Sequence, residues 1–193
     1  MVHNAAFDYY DRIVDEYGIQ KPRSGIRISA KFDKDVSSQS RPHLPLVSDI
    51  RITRIRHGAY RGSDGIYATT VHELTHAGHR KLDTHMFDFL TTNNKERELM
   101  IESWAEGVET IVTNDRYLEL DADYVATNSV DVIDFPLWND YRQFDEIEDM
   151  DEYTPIIIDL IDDYNQNIEL GGNRPFDRVS GYTLQQIQSA LNN

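Results

Sequence analysis

Two histidines and a glutamate stand close together in the segment Val71–His79, in the order His72, Glu73 and His76. On a helix, histidines four residues apart project from one face with Cβ atoms about 5–6 Å apart. Both imidazoles can then bind one zinc ion at about 2.0–2.1 Å. Glu73, next to the first histidine, can accept a proton from a water on that ion. The pattern therefore predicts a hydrolytic Zn²⁺ site rather than a helix whose histidines bind no metal.

A third ligand is needed, because catalytic zinc normally takes three protein ligands and a water. His79 lies on nearly the same helical face, but about 10 Å along the axis from His72, so an unbroken helix cannot bring all three histidines to one ion. A carboxylate from a second helix packed against the first would complete the site. The sequence offers three such residues in one stretch: Glu102, Glu106 and Glu109. Those that do not bind the metal can hold a ligand histidine in position.

The two motifs together resemble one family of zinc peptidases. His72-Glu73-Leu74-Thr75-His76 is similar to the thermolysin motif, and Trp104-Ala105-Glu106-Gly107 resembles the Trp-x-x-Glu-Gly segment of the gluzincin aminopeptidases, one residue shorter. In gluzincins the third ligand is a glutamate on the following helix. The resemblance thus implies a zincin-like fold with His72, His76 and Glu106 as zinc ligands and Glu73 as general base. Glu102 and Glu109 are left as supporting residues or alternative ligands.

Peptide hydrolysis also requires a hydrogen-bond donor for the developing oxyanion. All seven histidines lie at or before His85, so no histidine downstream of the motif is available. The resemblance to the aminopeptidases suggests a tyrosine in this role. The downstream tyrosines are Tyr124, Tyr141, Tyr153, Tyr164 and Tyr182, of which we retain Tyr153, Tyr164 and Tyr182 as oxyanion candidates. Any one of them is more often an ordinary core or surface aromatic, so the sequence does not choose among them.

Two helices must position the ligands. We predict a metal-binding helix over residues 66–80, with Ser63 or Asp64 as its N-terminal cap. A longer helix is predicted over Lys95–Leu120, because apolar residues recur on one face of that segment. The residues between these two predicted helices are enough for a loop that brings the second helix back against the first.

The remaining segments predict a small sheet and further helices. Residues 4–17 have helical periodicity ended by Gly18, while 25–32 and 49–53 alternate like strands of one small antiparallel sheet. The strand up to Arg56 is expected to form the sheet edge that pairs with a peptide. Its arginines, Arg51, Arg54 and Arg56, either favour acidic substrates or protect the edge against aggregation.

Near the C-terminus, Thr154 and Pro155 favour a helix over residues 155–165. Thr183 with Gln186 three residues later is typical of a capping box at the start of a last short helix. The whole chain, 1–193, is therefore expected to form a single α+β zincin-like domain.

Composition excludes several classes of function. The net charge of −15, from 34 acidic and 19 basic residues, argues against a nucleic-acid partner. The absence of cysteine excludes disulfides and thiolate ligands. No apolar run is long enough for a membrane span, and the N-terminus lacks a signal-peptide pattern. The acidic run Asp145–Glu152 is interpreted as a solvated surface rather than a calcium loop.

The sequence thus predicts a zinc-dependent peptidase acting on a peptide or protein. Endopeptidase action is favoured, because no motif that would anchor a free substrate amine is present. Two alternatives stay open: a peptidase-fold binding or adhesion module without activity, and a zinc hydrolase of non-peptide substrates. Glu73 argues against the first, since a structural site has no use for a base. A place outside the cytoplasm is expected from this function alone, and no pattern indicates the oligomeric state.

Overall fold

Helices and a small mixed sheet make up the computed structural model, which confirms the α+β class. It describes residues 1–35, 38–40, 48–56, 58–85, 95–127, 137–139, 153–174 and 176–192. The helices are α1 Val2–Asp8, α2 Val14–Tyr17, α3 Ser63–Leu82, α4 Lys95–Leu120, α5 Ile156–Asp159, α6 Gln166–Leu170 and α7 Leu184–Leu191, with a π-helical turn over Tyr9–Ile13. The strands are β1 Ile28–Asp35, β2 Gln39–Ser40, β3 Ile50–Arg56 and β4 Ala59–Tyr60. Among the helices described, none has both the length and the apolar character needed to cross a membrane.

The sheet is mixed, so the predicted antiparallel arrangement is wrong. β1 and β3 run parallel, with Ile28 opposite Ile50, while β2 and β4 pair antiparallel with β3. Parallel strands need a connection of a dozen or more residues, and the segment between β1 and β3 is that long. The prediction that β3 forms the sheet edge is also wrong, because β3 has strands on both sides.

The helix predicted to bind a metal, α3, begins three residues earlier than predicted, at Ser63, and runs unbroken to Leu82. Gly62 is its N-cap and no side chain caps it, so the predicted capping by Ser63 or Asp64 is wrong. The buried Asp64 carboxylate instead accepts hydrogen bonds from the Tyr124 hydroxyl at 2.9 Å and from the Thr127 N–H at 2.6 Å. Asp64 thus joins the start of α3 to the chain that follows α4.

Helix α4 spans the predicted range, Lys95–Leu120, and packs along α3. Trp104, Val108 and Val112 on α4 enter the same buried cluster as Val71 and Leu74 on α3. Burial of this apolar surface stabilises the helix pair, at about 25 cal/mol per Å² of apolar surface buried. It also holds the polar faces that carry His72 and the α4 glutamates against each other.

The N-terminal helical segment packs against α3 through α1. It confirms the helix predicted over residues 4–17. Gly18, with φ of 63°, ends it in the left-handed conformation that favours glycine. The Tyr9 hydroxyl lies 3.2 Å from the Thr75 hydroxyl of α3. A Cβ on Gly78 would lie 2.5 Å from the carbonyl oxygen of Gln20, so only glycine permits this close approach.

The C-terminal region contains a shorter helix than predicted. α5 ends at Asp159, because the carbonyl groups of Leu160 and Ile161 accept hydrogen bonds from the N–H groups of Tyr182 and Gly181. Backbone groups committed to these distant partners cannot extend a helix through residue 165. The capping box of Thr183 and Gln186 at the start of α7 is confirmed. The acidic run 145–152 lies outside the described residues.

Candidate metal centre

His72, His76 and Glu102 form a compact buried group between α3 and α4. Their potential ligand atoms all lie within 4.8 Å of one another, the only such group of histidines and carboxylates within the described ranges. The Oε2 atom of Glu102 lies 3.2 Å from Nε2 of His72 and 3.3 Å from Nε2 of His76. Both histidines are buried, whereas the Glu102 side chain keeps 30% of its surface exposed. The group therefore has protein on its inner side and solvent access at the carboxylate.

These distances suit a tetrahedral zinc ion. Two atoms bound at about 2.0–2.2 Å to a tetrahedral ion lie about 3.3–3.6 Å apart. The two nitrogen–oxygen distances, 3.2 and 3.3 Å, are close to that spacing. Hydrogen bonds alone would require Nε2 of both histidines to carry a proton directed at one oxygen. The donor set of two imidazoles and a carboxylate is one that zinc prefers.

Glu109 holds His72 from the opposite side of the ring. Its Oε2 lies 2.8 Å from Nδ1 of His72, while its Oε1 accepts a hydrogen bond from the Trp138 indole N–H at 2.8 Å. Trp138 is itself fixed to α4, because its backbone N–H donates to Asn114 at 2.8 Å. With Nδ1 engaged by Glu109, His72 presents Nε2 to the side of Glu102, where a metal would bind as in carboxylate–histidine–zinc arrangements.

The geometry gathers Glu102, rather than Glu106, with the two histidines. Glu106 is buried beside Asn139, whose Nδ2 lies 3.5 Å from Glu106 Oε1. Glu102, Glu106 and Glu109 are separated by four and three residues, so all three lie on one face of α4. The residue proposed as third ligand from the Trp-x-x-Glu-Gly resemblance is therefore one turn farther along the helix than the carboxylate that meets both histidines.

The charges within the group depend on one another. Burial lowers the pKa of His72, but hydrogen bonds with Glu102 and Glu109 outweigh it and raise this pKa well above the ordinary value. Burial raises the pKa of Glu102, but His76 and His72 outweigh it and hold this pKa far below the usual range. The carboxylates and His72 thus favour each other's charged forms. A divalent cation would compete with protons for the same ligand atoms.

Glu73 is buried on α3 beside both histidines and is 5% exposed. Burial raises the pKa of Glu73, and attraction to His72 and His76 opposes the rise. A carboxylate with a raised pKa is suited to accept and return a proton near neutral pH. His79, farther along α3, lies outside the ligand group and stays neutral, because burial and the nearby His76 lower its pKa to about 4.

Among the oxyanion candidates, the ring of Tyr153 lies near that of His72. Its centroid is 6.4 Å from that of His72, in an edge arrangement. Thr154, the residue after Tyr153, anchors this part of the chain to α4, because its backbone N–H donates to the Ser103 hydroxyl at 2.9 Å. Tyr164 and Tyr182 are 37% and 44% exposed, on the chain on either side of α6. The Tyr124 hydroxyl is engaged by Asp64, and Tyr141 lies outside the described residues.

Two further residues at the site were missed from the sequence. Trp138 reaches Glu109 from a distant part of the chain, and no local pattern connects the two. Arg61, between β4 and α3, lies close enough to interact electrostatically with Glu73, Glu109 and Tyr153. The available sequence signal for Arg61 was its place, as a basic residue in an acidic chain, just before the helix predicted to bind a metal.

Comparison of the chain with protein-family models, with curated proteins and with solved structures found no match. No known protein or fold therefore supports the zincin-like fold or the gluzincin resemblance, and both are proposals. They rest on the His72-Glu73-x-x-His76 motif and on the contacts of the described residues.

Proposed function

We propose that this protein is a zinc-dependent peptidase of the gluzincin type, with His72, His76 and Glu102 as metal ligands and Glu73 as general base. The observation that supports it most is the single carboxylate oxygen within 3.3 Å of Nε2 of both histidines. The proposal replaces Glu106 by Glu102 as third ligand, since Glu102 is the carboxylate that meets both imidazoles.

The chemistry follows from the placement of the side chains. A bound Zn²⁺ lowers the pKa of a water ligand and polarises a substrate carbonyl. Glu73 accepts the proton of the attacking water and delivers it to the leaving amine. Glu109 holds His72 in one tautomer throughout. The Tyr153 hydroxyl donates a hydrogen bond to the oxyanion that forms.

The metal site is tested by measuring zinc in tag-free protein by mass spectrometry. We expect about one zinc per chain in the wild type, as for a two-histidine, one-glutamate site. His76→Ala and Glu102→Gln should lose the metal, and Glu106→Gln, on the same face of α4, should keep it. A wild type that takes up no added zinc would overturn the site. Loss of zinc in Glu106→Gln but not in Glu102→Gln would return the third ligand to Glu106.

The activity is tested on zinc-loaded protein with a mixed peptide library. We expect the wild type to cleave internal peptide bonds and Glu73→Gln to bind zinc without cleaving, since Glu73 supplies a proton acceptor and no ligand. Cleavage confined to chain ends would replace the endopeptidase proposal by an exopeptidase. A zinc-loaded wild type that cleaves no peptide would rule out the peptidase and leave the binding module or the non-peptide hydrolase.

A further inference from the structure

Arg61 is held in a defined position beside the candidate active site. Its backbone N–H donates to the carbonyl of Arg54 at 2.8 Å, which fixes it at the end of the β3–β4 pair. Its side-chain Nη1 donates to the Thr69 hydroxyl of α3 at 2.6 Å. Thr69 precedes His72 and Glu73 by three and four residues, so all three lie on neighbouring positions of one helical face. The guanidinium thus lies about one helical turn from the metal ligands.

Within the described part of the chain, the Arg61 side chain has no carboxylate partner, whereas some other partly buried arginines do. Arg23 and Arg12, for example, each lie 2.7 Å from a carboxylate oxygen, on Asp49 and Glu119. The side-chain partners of Arg61 are two hydroxyls, on Thr69 at 2.6 Å and on Ser38 at 3.5 Å, and both are reached by Nη1. Nε and Nη2 of Arg61 therefore have no hydrogen-bond acceptor among the described residues.

The electrostatic setting makes this arrangement costly for Arg61. Burial and the neighbouring charge of Arg56 lower the pKa of Arg61, and only the more distant Glu109, Glu73 and Tyr153 oppose that change. A partly buried charge is normally retained where a partner of opposite sign stabilises it. Glu109 is engaged with Nδ1 of His72, and among the described residues no carboxylate contacts Arg61 directly.

We propose that Arg61 binds a carboxylate of the substrate, so that the enzyme prefers peptides with a negative charge next to the bond that it cleaves. The proposal rests on the proposed peptidase function. Two parallel N–H groups of a guanidinium match the two oxygens of a carboxylate, and Nε with Nη2 form such a pair. The carboxylate belongs either to an acidic side chain or to a free C-terminus, since both present the same chemistry.

The kinetic test uses pairs of peptides that differ only in one charge. From one sequence that the wild type cleaves, we would compare Glu with Gln beside the scissile bond, and a free C-terminus with a C-terminal amide. Arg61→Gln should lower kcat/KM for the charged member by about tenfold to a hundredfold, the effect of losing a hydrogen bond to a charged group. The neutral member should be unaffected. Arg178→Gln, an exposed arginine between α6 and α7, serves as the matched control.

The peptide pair whose charged member is affected identifies the source of the carboxylate. Arg61→Lys tests whether the two parallel N–H groups are needed, because lysine keeps the charge without the paired donors. Zinc content and thermal unfolding of each variant show that the site and the fold are retained. Equal losses on charged and neutral peptides, or a wild type without preference for the charged members, would overturn the proposal.

A binding measurement keeps this test separate from the test of the peptidase function. N-acetyl-alanyl-alanine, its amide and N-acetyl-glutamate α-amide can be titrated into zinc-loaded protein by NMR. We expect the two carboxylate-bearing probes to be bound more tightly by the wild type than by Arg61→Gln, and the neutral amide equally by both. Should no peptide be cleaved, the peptidase proposal fails while this titration still decides on Arg61. Equal binding of all probes by both proteins would contradict the inference.

Discussion

The carboxylate at the candidate metal centre and a second buried carboxylate, on α5, have opposite electrostatic surroundings. Burial disfavours the charged form of both. At Glu102, attraction to His76 and hydrogen bonds with His72 and His76 exceed that penalty and lower the pKa far below its usual range. At Asp159, repulsion by Asp177 adds to the burial penalty, and the pKa rises to about 7.

The opposite directions of the two pKa shifts come from the partners, since burial disfavours the charged form of both carboxylates. Glu102 faces two imidazoles that can carry protons or share a cation with it. Asp159 faces further carboxylates, and its Oδ1 accepts a hydrogen bond from the Gln166 amide at 3.1 Å. A neutral donor of this kind does not stabilise an anion as a charged one does. The first arrangement keeps a carboxylate ready to bind a metal, whereas the second keeps it ready to take up a proton.

A large loss of activity is expected from removing the hydroxyl of Tyr153. Tyr153→Phe should lower kcat by about 10²–10³-fold, the usual cost of losing one oxyanion donor, with zinc still bound. Tyr182→Phe, on an exposed ring, is the matched control and should leave kcat unchanged. Steady-state kinetics on a cleaved peptide would measure both. A normal kcat in Tyr153→Phe would remove this residue from the mechanism.

The partner of His72 can be weakened without touching a ligand. Glu109→Gln removes the charge that faces Nδ1 of His72 and should lower zinc affinity by about 10–100-fold. Glu98→Gln, an exposed glutamate on the same helix, controls for the loss of negative charge alone. Competition with a chromogenic chelator would measure both affinities. Equal affinities in the two variants would show that Glu109 does not support the site.

Gly107 is the point at which α4, the helix of Glu102, packs against α5, the helix of Asp159. A Cβ there would lie 2.4 Å from Cβ of Ile157 on α5, the helix that also carries Asp159. Gly107→Ala should therefore lower the free energy of unfolding by about 1–3 kcal/mol, the usual cost of forcing extra volume into a packed core. Urea unfolding would measure it, with Glu98→Ala as a helix-surface control. An unchanged or raised midpoint in Gly107→Ala would contradict this close packing.

A smaller, pH-dependent effect is expected at Asp159. Its folded pKa of about 7 exceeds the usual value, so the folded state binds the proton more tightly than the unfolded state. The contribution of Asp159 to stability is therefore present at low pH and is lost as the pH rises from about 4 to about 7. The stability of the wild type relative to Asp159→Asn should fall over that range in urea titrations. A flat difference would mean that Asp159 has an ordinary pKa.

Local signals predicted the elements well where many residues contribute to one pattern. The range of α4 and the capping box of Thr183 and Gln186 follow from periodicity and from contacts three residues apart. The parallel pairing of β1 and β3 does not, because strand direction depends on how the connection crosses the sheet. The early end of α5 depends on hydrogen bonds from Gly181 and Tyr182, which are distant in sequence.

The site divides in the same way. The motif on α3 and the acidic face of α4 could be read from spacing, because both are properties of one helix. Three glutamates, Glu102, Glu106 and Glu109, share one face of α4 and differ only in their position along its axis. The point at which α3 and α4 cross therefore decides which carboxylate lies beside Nε2 of both histidines. Trp138 and Arg61 reach the site only through tertiary packing.

The division of the three proposed ligands between two helices would have a thermodynamic consequence. His72 and His76 keep their spacing in any folded α3, whereas Glu102 joins them only when α4 is docked. Zinc bound by all three therefore acts as a reversible cross-link that is absent from the unfolded chain, and its binding free energy adds to that of folding. The melting temperature should rise with free zinc, and a strong chelator would act on this helix pair as a denaturant.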